Sequence, residues 1–164
     1  MTTVTTVTTE SRDARAMLSV EEFNGVAATV MDTNPSMSEE DACRIVEEAL
    51  KFVFAAAMFP GGMRPSRVVD EGWHALILHT SVYRDFCRRA GRFVHHVPER
   101  PDPTRHDPTA LEKTQANIEK AGFAVDRTLW LGPPSGLIPV AAECEHISCG
   151  DSDCQVSCRS DHPN

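Results

Sequence analysis

A run of apolar residues at helical spacing is the feature of this 164-residue chain that most restricts its fold. Ser38 is a candidate N-cap for this segment, and three acidic residues follow it, where the helix dipole favours negative charge. That spacing is typical of a helix that buries one face. We therefore predict a central core helix, and its inward positions are Ala42, Ile45, Val46, Ala49, Val53 and Ala56.

Shorter amphipathic segments on either side predict further helices. The first runs over about 20–31, behind a capping box formed by Ser19 and Glu22. Its apolar stripe has helical spacing. Another begins after Ser66, which can cap its first turn. The inward positions of the first helix are Phe23, Val26, Ala27 and Val30.

Two more helices follow in the second half of the chain. Thr80 is a candidate N-cap for one of them, and Gly91 suits the left-handed position that closes it. Residues 92–97 alternate loosely and predict an extended segment. Asp107 and Pro108 form a strong helix start. These segments predict an all-α fold, a single compact domain of about five helices.

The two ends of the chain differ in composition from this domain. Residues 1–17 open with a Thr-rich repeat of low complexity and are expected to be disordered. Gly132, Pro133 and Pro134 interrupt the chain after the helical domain of 18–131. Residues 132–164 then form a Cys-rich tail.

Charge and hydropathy exclude several classes of partner. Sixteen basic and 24 acidic side chains give a formal net charge of −8, which repels nucleic acid and anionic lipid. The longest apolar run, residues 52–59, is far shorter than the roughly 20 residues of a membrane span. No signal peptide is recognisable. We expect a cytoplasmic protein with no nucleic-acid or membrane partner, in a compartment that keeps thiols reduced.

The helical centre contains a first set of candidate metal ligands. Asp70 and His74 are one helical turn apart and therefore share a face. Cys87, His95 and His96 can join them from the following segments. Borderline metals such as zinc, iron and copper accept imidazole, thiolate and carboxylate, and zinc is the metal we expect. Alternatively, Asp70 orients the imidazole of His74 as a hydrogen-bond partner, with or without a metal.

The tail contains a second set. Its cysteines have C-x4-C-x4-C-x3-C spacing, and four thiolates can bind zinc or an iron–sulfur cluster. Two disulfides would use the same residues, although a reducing compartment favours metal binding or reversible thiol chemistry. The tail is also a candidate surface for a protein partner. The four residues are Cys144, Cys149, Cys154 and Cys158.

Several motifs carry a resemblance to a known family. They are Asp70-x-x-Trp73-His74, His79-Thr80-x-x-Tyr83-x-x-Phe86-Cys87 and Gly91-x-x-x-His95-His96-x-Pro98. This region resembles the helical module of glycine-rich domain-containing proteins, in particular the short actinobacterial ones, and segment 121–130 and the tail are similar to them too. The resemblance implies an all-helical domain but no particular reaction. It also implies importance for Asp70, Trp73, His74, Tyr83, Cys87 and His96.

The leading hypothesis is a small metal-binding protein with an Asp/His/Cys cluster in its helical core and a thiol-rich tail. A second hypothesis is a structural or protein-interaction module in which the cluster is a hydrogen-bonded core network. A third is a metalloenzyme of unknown substrate, which would need an open coordination position beside a pocket. The sequence alone leaves open whether the protein is an enzyme.

Overall fold

The computed structural model of the chain describes residues 11–98, 107, 109–131 and 144–148, with 98 and 144–148 described by backbone alone. Five helices dominate this part, which confirms the predicted all-α class. Two short strands pair with each other, and 3-10 turns lie at Arg15–Met17 and Arg127–Trp130. The elements are α1 (Val20–Thr33), α2 (Glu39–Met58), α3 (Arg67–Leu78), α4 (Thr80–Ala90), β1 (Val94–Pro98), α5 (Ala110–Lys120) and β2 (Cys144–Ser148).

Helix α2 is the centre of the core, as its apolar spacing predicts. All six of its predicted inward residues are buried, and so are the four of α1. The serine caps are also confirmed: the side chains of Ser19, Ser38 and Ser66 each accept a hydrogen bond from a backbone N–H in the first turn of their helix. No helix in the described ranges is both long and apolar enough to span a bilayer.

Helix α3 packs unusually close to α2 at Gly72. A Cβ atom placed at Gly72 would lie 2.8 Å from the backbone oxygen of Ile45 and 2.9 Å from Cβ of Ala49. Such distances are below van der Waals contact, so only glycine fits here without a shift of one helix. This contact determines how deeply the polar residues of α3 lie in the core.

Two predicted helix starts are wrong. His79, not Thr80, is the N-cap of α4, and its Nε2 lies 2.9 Å from Thr29 Oγ1 on α1. Helix α5 begins at Ala110 with Thr109 as N-cap. The carboxylate of Asp107 accepts a hydrogen bond from the backbone N–H of Thr109 at 2.9 Å, which forms a local turn and delays the helix by two residues.

Part of the opening segment packs on the domain. The backbone N–H of Arg12 donates to the carbonyl of Gly122 at 2.8 Å, and its guanidinium lies 4.4 Å from the ring centre of Phe54. Ala14 is buried. Residues 11–17 therefore contact the core although they fall in the range predicted to be disordered, whereas residues 1–10 lie outside the described part.

The strands join the tail to the helical domain. Residues 94–98 form β1, which confirms the predicted extended segment. Strand β2 pairs with it in antiparallel register, and His96 is opposite His146. The predicted separate tail of 132–164 thus contributes one strand to the domain, a long-range pairing that local periodicity does not report.

A buried carboxylate on α2 ties the 127–130 turn to the core. Glu48 is fully buried, and it accepts a hydrogen bond from Trp130 Nε1 at 2.8 Å and from the backbone N–H of Asp126 at 3.1 Å. Lys51 Nζ donates to the same carboxylate and to the carbonyl of Ala124. Sequence analysis missed Glu48, although it lies three residues after Ile45 on the buried face.

We expect Gly72→Ala to lower the free energy of unfolding by about 1–3 kcal/mol, the usual cost of overpacking a core. Urea denaturation followed by far-UV circular dichroism measures the change. Gly25→Ala is the matched control, because its added Cβ would lie 3.4 Å from His79 Cε1, an ordinary contact. Equal effects of the two substitutions would contradict the close α2–α3 approach.

We expect Glu48→Ala to cost about 3–5 kcal/mol, because removal of one partner leaves buried donors without acceptors. Glu47→Ala is the control: the Glu47 side chain is 31% exposed and pairs with exposed Arg15 at 2.7 Å, so its loss should cost less than about 1 kcal/mol. Tryptophan fluorescence during denaturation compares the two. A Glu48→Ala variant as stable as Glu47→Ala would refute this role.

Candidate metal centre

Helix α3 and strand β1 bring three potential ligands together. Asp70 and His74 are one turn apart on α3, as predicted, and Nδ1 of His74 lies 3.5 Å from Oδ2 of Asp70. Strand β1 contributes His96, whose Nε2 lies 3.2 Å from Oδ1 of Asp70. Among the described residues, these three form the one group whose ligand atoms converge, all within 4.8 Å of one another.

Asp70 is unusually buried for a residue with a carboxylate side chain. Its side chain is 2% exposed, and Oδ2 has no hydrogen-bond partner in the described part of the chain. An unsatisfied buried acceptor costs about 1–3 kcal/mol, and more when it is charged. The contact with His74 at 3.5 Å does not meet hydrogen-bond geometry, so this oxygen is available to a cation.

The two imidazoles contact different oxygens of this carboxylate and differ in exposure. The side chain of His96 is 10% exposed, whereas that of His74 is 38% exposed. Their ring centres are 4.4 Å apart, and the ring of His96 packs against Trp73 at 4.3 Å. The centre is therefore closed towards the core and accessible beside His74.

The observed spacing is suitable for one metal ion. Ligand atoms at about 2.0–2.2 Å from a tetrahedral zinc ion are about 3.4 Å apart. The two measured contacts of Asp70, at 3.2 and 3.5 Å, are close to that value. Both imidazole nitrogens would have to be unprotonated to bind the ion. Asp70, His74 and His96 can therefore hold a metal after small side-chain rotations.

A chain of hydrogen bonds holds β1 beside α3. Trp73 Nε1 donates to the hydroxyl of Tyr83 at 3.1 Å, and that hydroxyl donates to the carbonyl of Val94. Burial raises the pKa of Tyr83, so its hydroxyl remains a donor at neutral pH. Val94 is two residues before His96 and on the same face of the strand. This network positions His96 against Asp70.

Cys87 and His95 lie apart from the converging group. Cys87 is buried on α4, where burial raises the pKa of its thiol and disfavours the thiolate that binds metals. His95 precedes His96 on β1, so its side chain lies on the opposite face of the strand. Its ring packs against Phe93, with ring centres 4.7 Å apart. His79 caps α4 and contacts Thr29 instead.

Most of the candidate ligands of the tail lie outside the residues that the structure describes. Cys144 is the first residue of β2. Cys149, Cys154 and Cys158 lie outside the described residues, so the predicted four-cysteine site has no structural account.

Glu71 adds a second carboxyl group that sequence analysis missed. Burial raises its pKa, the charge of Asp70 raises it further and His74 lowers it. The i,i+3 spacing of Glu71 and His74 could have revealed this neighbour, since such pairs are adjacent on a helix. Its proximity increases the negative potential around the centre.

Comparison with known proteins gives one family match. The chain matches no curated protein and no solved structure. The model of the UCP032817-like family, whose description states no activity, matches residues 13–114. This range contains Asp70, His74 and His96 and ends before β2. Because the match covers more than half of the sequence, the chain belongs to the UCP032817-like family.

Proposed function

We propose that this protein binds a divalent transition metal through Asp70, His74 and His96, and that the metal is zinc. The observation that carries the proposal is the buried Oδ2 of Asp70, which has no hydrogen-bond partner in the described part of the chain. Two imidazole nitrogens converge on the same carboxylate. A metal ion would satisfy the oxygen and balance its charge.

The donor set supports a borderline metal over a hard cation. Imidazole nitrogen is a ligand for zinc, copper, iron and nickel, whereas magnesium and calcium prefer oxygen. Two histidines with one carboxylate are common to zinc and to non-haem iron sites. We favour zinc because it tolerates irregular geometry, and iron and copper are the alternatives to be tested.

The rival hypothesis is a structural module without metal. It explains the contact between His96 and Asp70 as a core hydrogen bond, which the distance of 3.2 Å allows. It leaves Oδ2 of the same carboxylate without a hydrogen-bond partner, at a cost that a metal would remove. This difference favours the metal hypothesis.

The metal would connect segments that are distant in sequence. Asp70 and His74 belong to α3, and His96 belongs to β1. Bound metal stabilises the folded state by about 2.7 kcal/mol when its free concentration is 100 times the dissociation constant. We therefore propose that binding fastens β1 to the helical core.

Several other sequence-based expectations remain predictions. They are kinship to glycine-rich domain-containing proteins, a cytoplasmic location and a protein partner for the tail. Cys87 and His95 remain candidate ligands for a rearranged site. The cysteines of the tail remain candidates for a second site built from thiolates.

The parent protein of this test differs from wild type only in its tail cysteines. We expect it, once stripped with chelator and dialysed against zinc, to regain one zinc ion per helical domain. Tail cysteines are changed to serine in all samples, so that thiolate binding does not contribute. Loss of a group that only supports a metal ligand usually weakens metal binding by roughly 10–100-fold. His74→Ala and His96→Ala remove ligands themselves, so each should weaken zinc binding by more than that. Competition with a zinc-sensitive dye measures the affinities.

His95→Ala is the matched control, because it removes an imidazole from the neighbouring position of β1 on the opposite face. It should keep wild-type affinity. Elemental analysis with zinc, iron and copper offered together identifies the preferred metal. Parent protein that takes up no metal, or His74→Ala and His96→Ala variants that bind as tightly as His95→Ala, would overturn the proposed centre.

A further inference from the structure

We propose that a metal held by Asp70, His74 and His96 has a fourth coordination position open to solvent, on the outer side of His74 and beside Glu71. That position would take water, or a small molecule that offers an oxygen donor together with an O–H or N–H group. The inference rests on the proposed metal centre and deepens it, because it states what the metal would bind besides the protein.

The number of converging ligands is the first support for an open position. Among the described residues, three side chains bring a ligand atom to the centre. Structural zinc sites are almost always closed by four protein ligands, whereas catalytic sites combine three protein ligands with water or substrate. The three-residue set matches the second kind of site.

The unequal burial of the three side chains shows where such a position faces. The side chain of His74 is 38% exposed, whereas those of Asp70 and His96 are 2% and 10% exposed. Trp73 is fully buried and packs against the ring of His96, so it closes the inner side of the centre. A ligand from solvent would therefore approach the metal along His74.

Helix geometry places Glu71 on this outer side. Successive residues of an α-helix turn by about 100° around the axis, so His74 lies about 40° from Asp70 and about 60° from Glu71, between the two. Asp70 is buried, whereas Glu71 is partly buried. Glu71 also interacts electrostatically with both Asp70 and His74. A carboxylate thus flanks the imidazole on the side from which solvent reaches the centre.

Charge and hydrogen bonding define the ligand that this position would favour. A divalent ion bound by the carboxylate of Asp70 and two neutral imidazoles retains one positive charge, which attracts an oxygen donor. Glu71 repels a bare anion, but its carboxylate accepts a hydrogen bond from a ligand that carries an O–H or N–H group. Water and hydroxamates have both features. Acetate has the oxygen donor alone.

Glu71 is also the competing occupant of the fourth position. It follows Asp70 directly, and a different rotamer would turn its carboxylate towards the metal. The group whose ligand atoms converge does not include it, although the structure describes its side chain. We therefore favour an open position over ligation by Glu71. Zinc affinity separates the two, because loss of a ligand costs more than the roughly 10–100-fold that loss of a supporting group costs.

The test measures whether a small molecule can bind to the metal in the full-length chain. In the parent protein, whose tail cysteines are serine, cobalt(II) replaces zinc, and acetohydroxamate is added while the visible absorption of cobalt is recorded. We expect a saturable change of the cobalt bands. Cobalt content after dialysis verifies that the hydroxamate has not removed the metal. A visible spectrum that stays unchanged in cobalt-loaded protein would overturn the proposal.

Glu71→Ala tests the neighbour of the open position. It should raise the dissociation constant of acetohydroxamate by about 3–10-fold, the effect of one hydrogen bond, but should not weaken acetate. Glu47→Ala is the control, because Glu47 pairs with Arg15 instead, and it should change neither constant. Far-UV circular dichroism verifies that both variants retain their helices. Equal hydroxamate affinities of the two variants would overturn the placement of Glu71.

The outcomes separate this inference from the centre on which it rests. If the parent protein binds cobalt but no hydroxamate, the three-residue centre stands and the open position is refuted. If it binds no metal, both proposals fail. Zinc binding weakened by more than about 100-fold in Glu71→Ala would make Glu71 the fourth ligand and refute the open position. In protein with its natural cysteines, a near-ultraviolet cobalt–thiolate band that His74→Ala abolishes would place a thiolate there and refute it too.

Discussion

The close contact between α2 and α3 is the constraint on which the rest of the structure depends. Gly72 lets the backbone of α3 approach Ile45 and Ala49 on α2 at distances that no side chain would allow. This approach buries Asp70 and Trp73, which precede and follow the glycine. A wider spacing would expose the carboxylate to water and remove its need for a partner.

The candidate centre follows from that burial and from a second layer of hydrogen bonds. Trp73, Tyr83 and Val94 form a continuous connection from α3 through α4 to β1. It delivers His96 to the carboxylate at 3.2 Å. Asp70, His74 and His96 are thus the potential ligands of the centre, and Trp73 and Tyr83 belong to the network that positions them.

The C-terminal strand joins the helical domain at β1. Strand β2 pairs with β1 over five residues, although the sequence predicts a separate tail for this part of the chain. The matched family range ends at residue 114, before this strand begins. The three candidate ligands, Asp70, His74 and His96, all lie within the family range.

The sequence by itself determined the helices, their serine caps and the buried faces of α1 and α2, because periodicity and capping are local properties. It also identified Asp70 and His74 as neighbours, since they are one turn apart. Only the tertiary structure brought His96 rather than His95 beside Asp70, placed Glu48 against Trp130 and paired β2 with β1. These choices depend on strand register and on contacts between residues far apart in the chain, which no local pattern encodes.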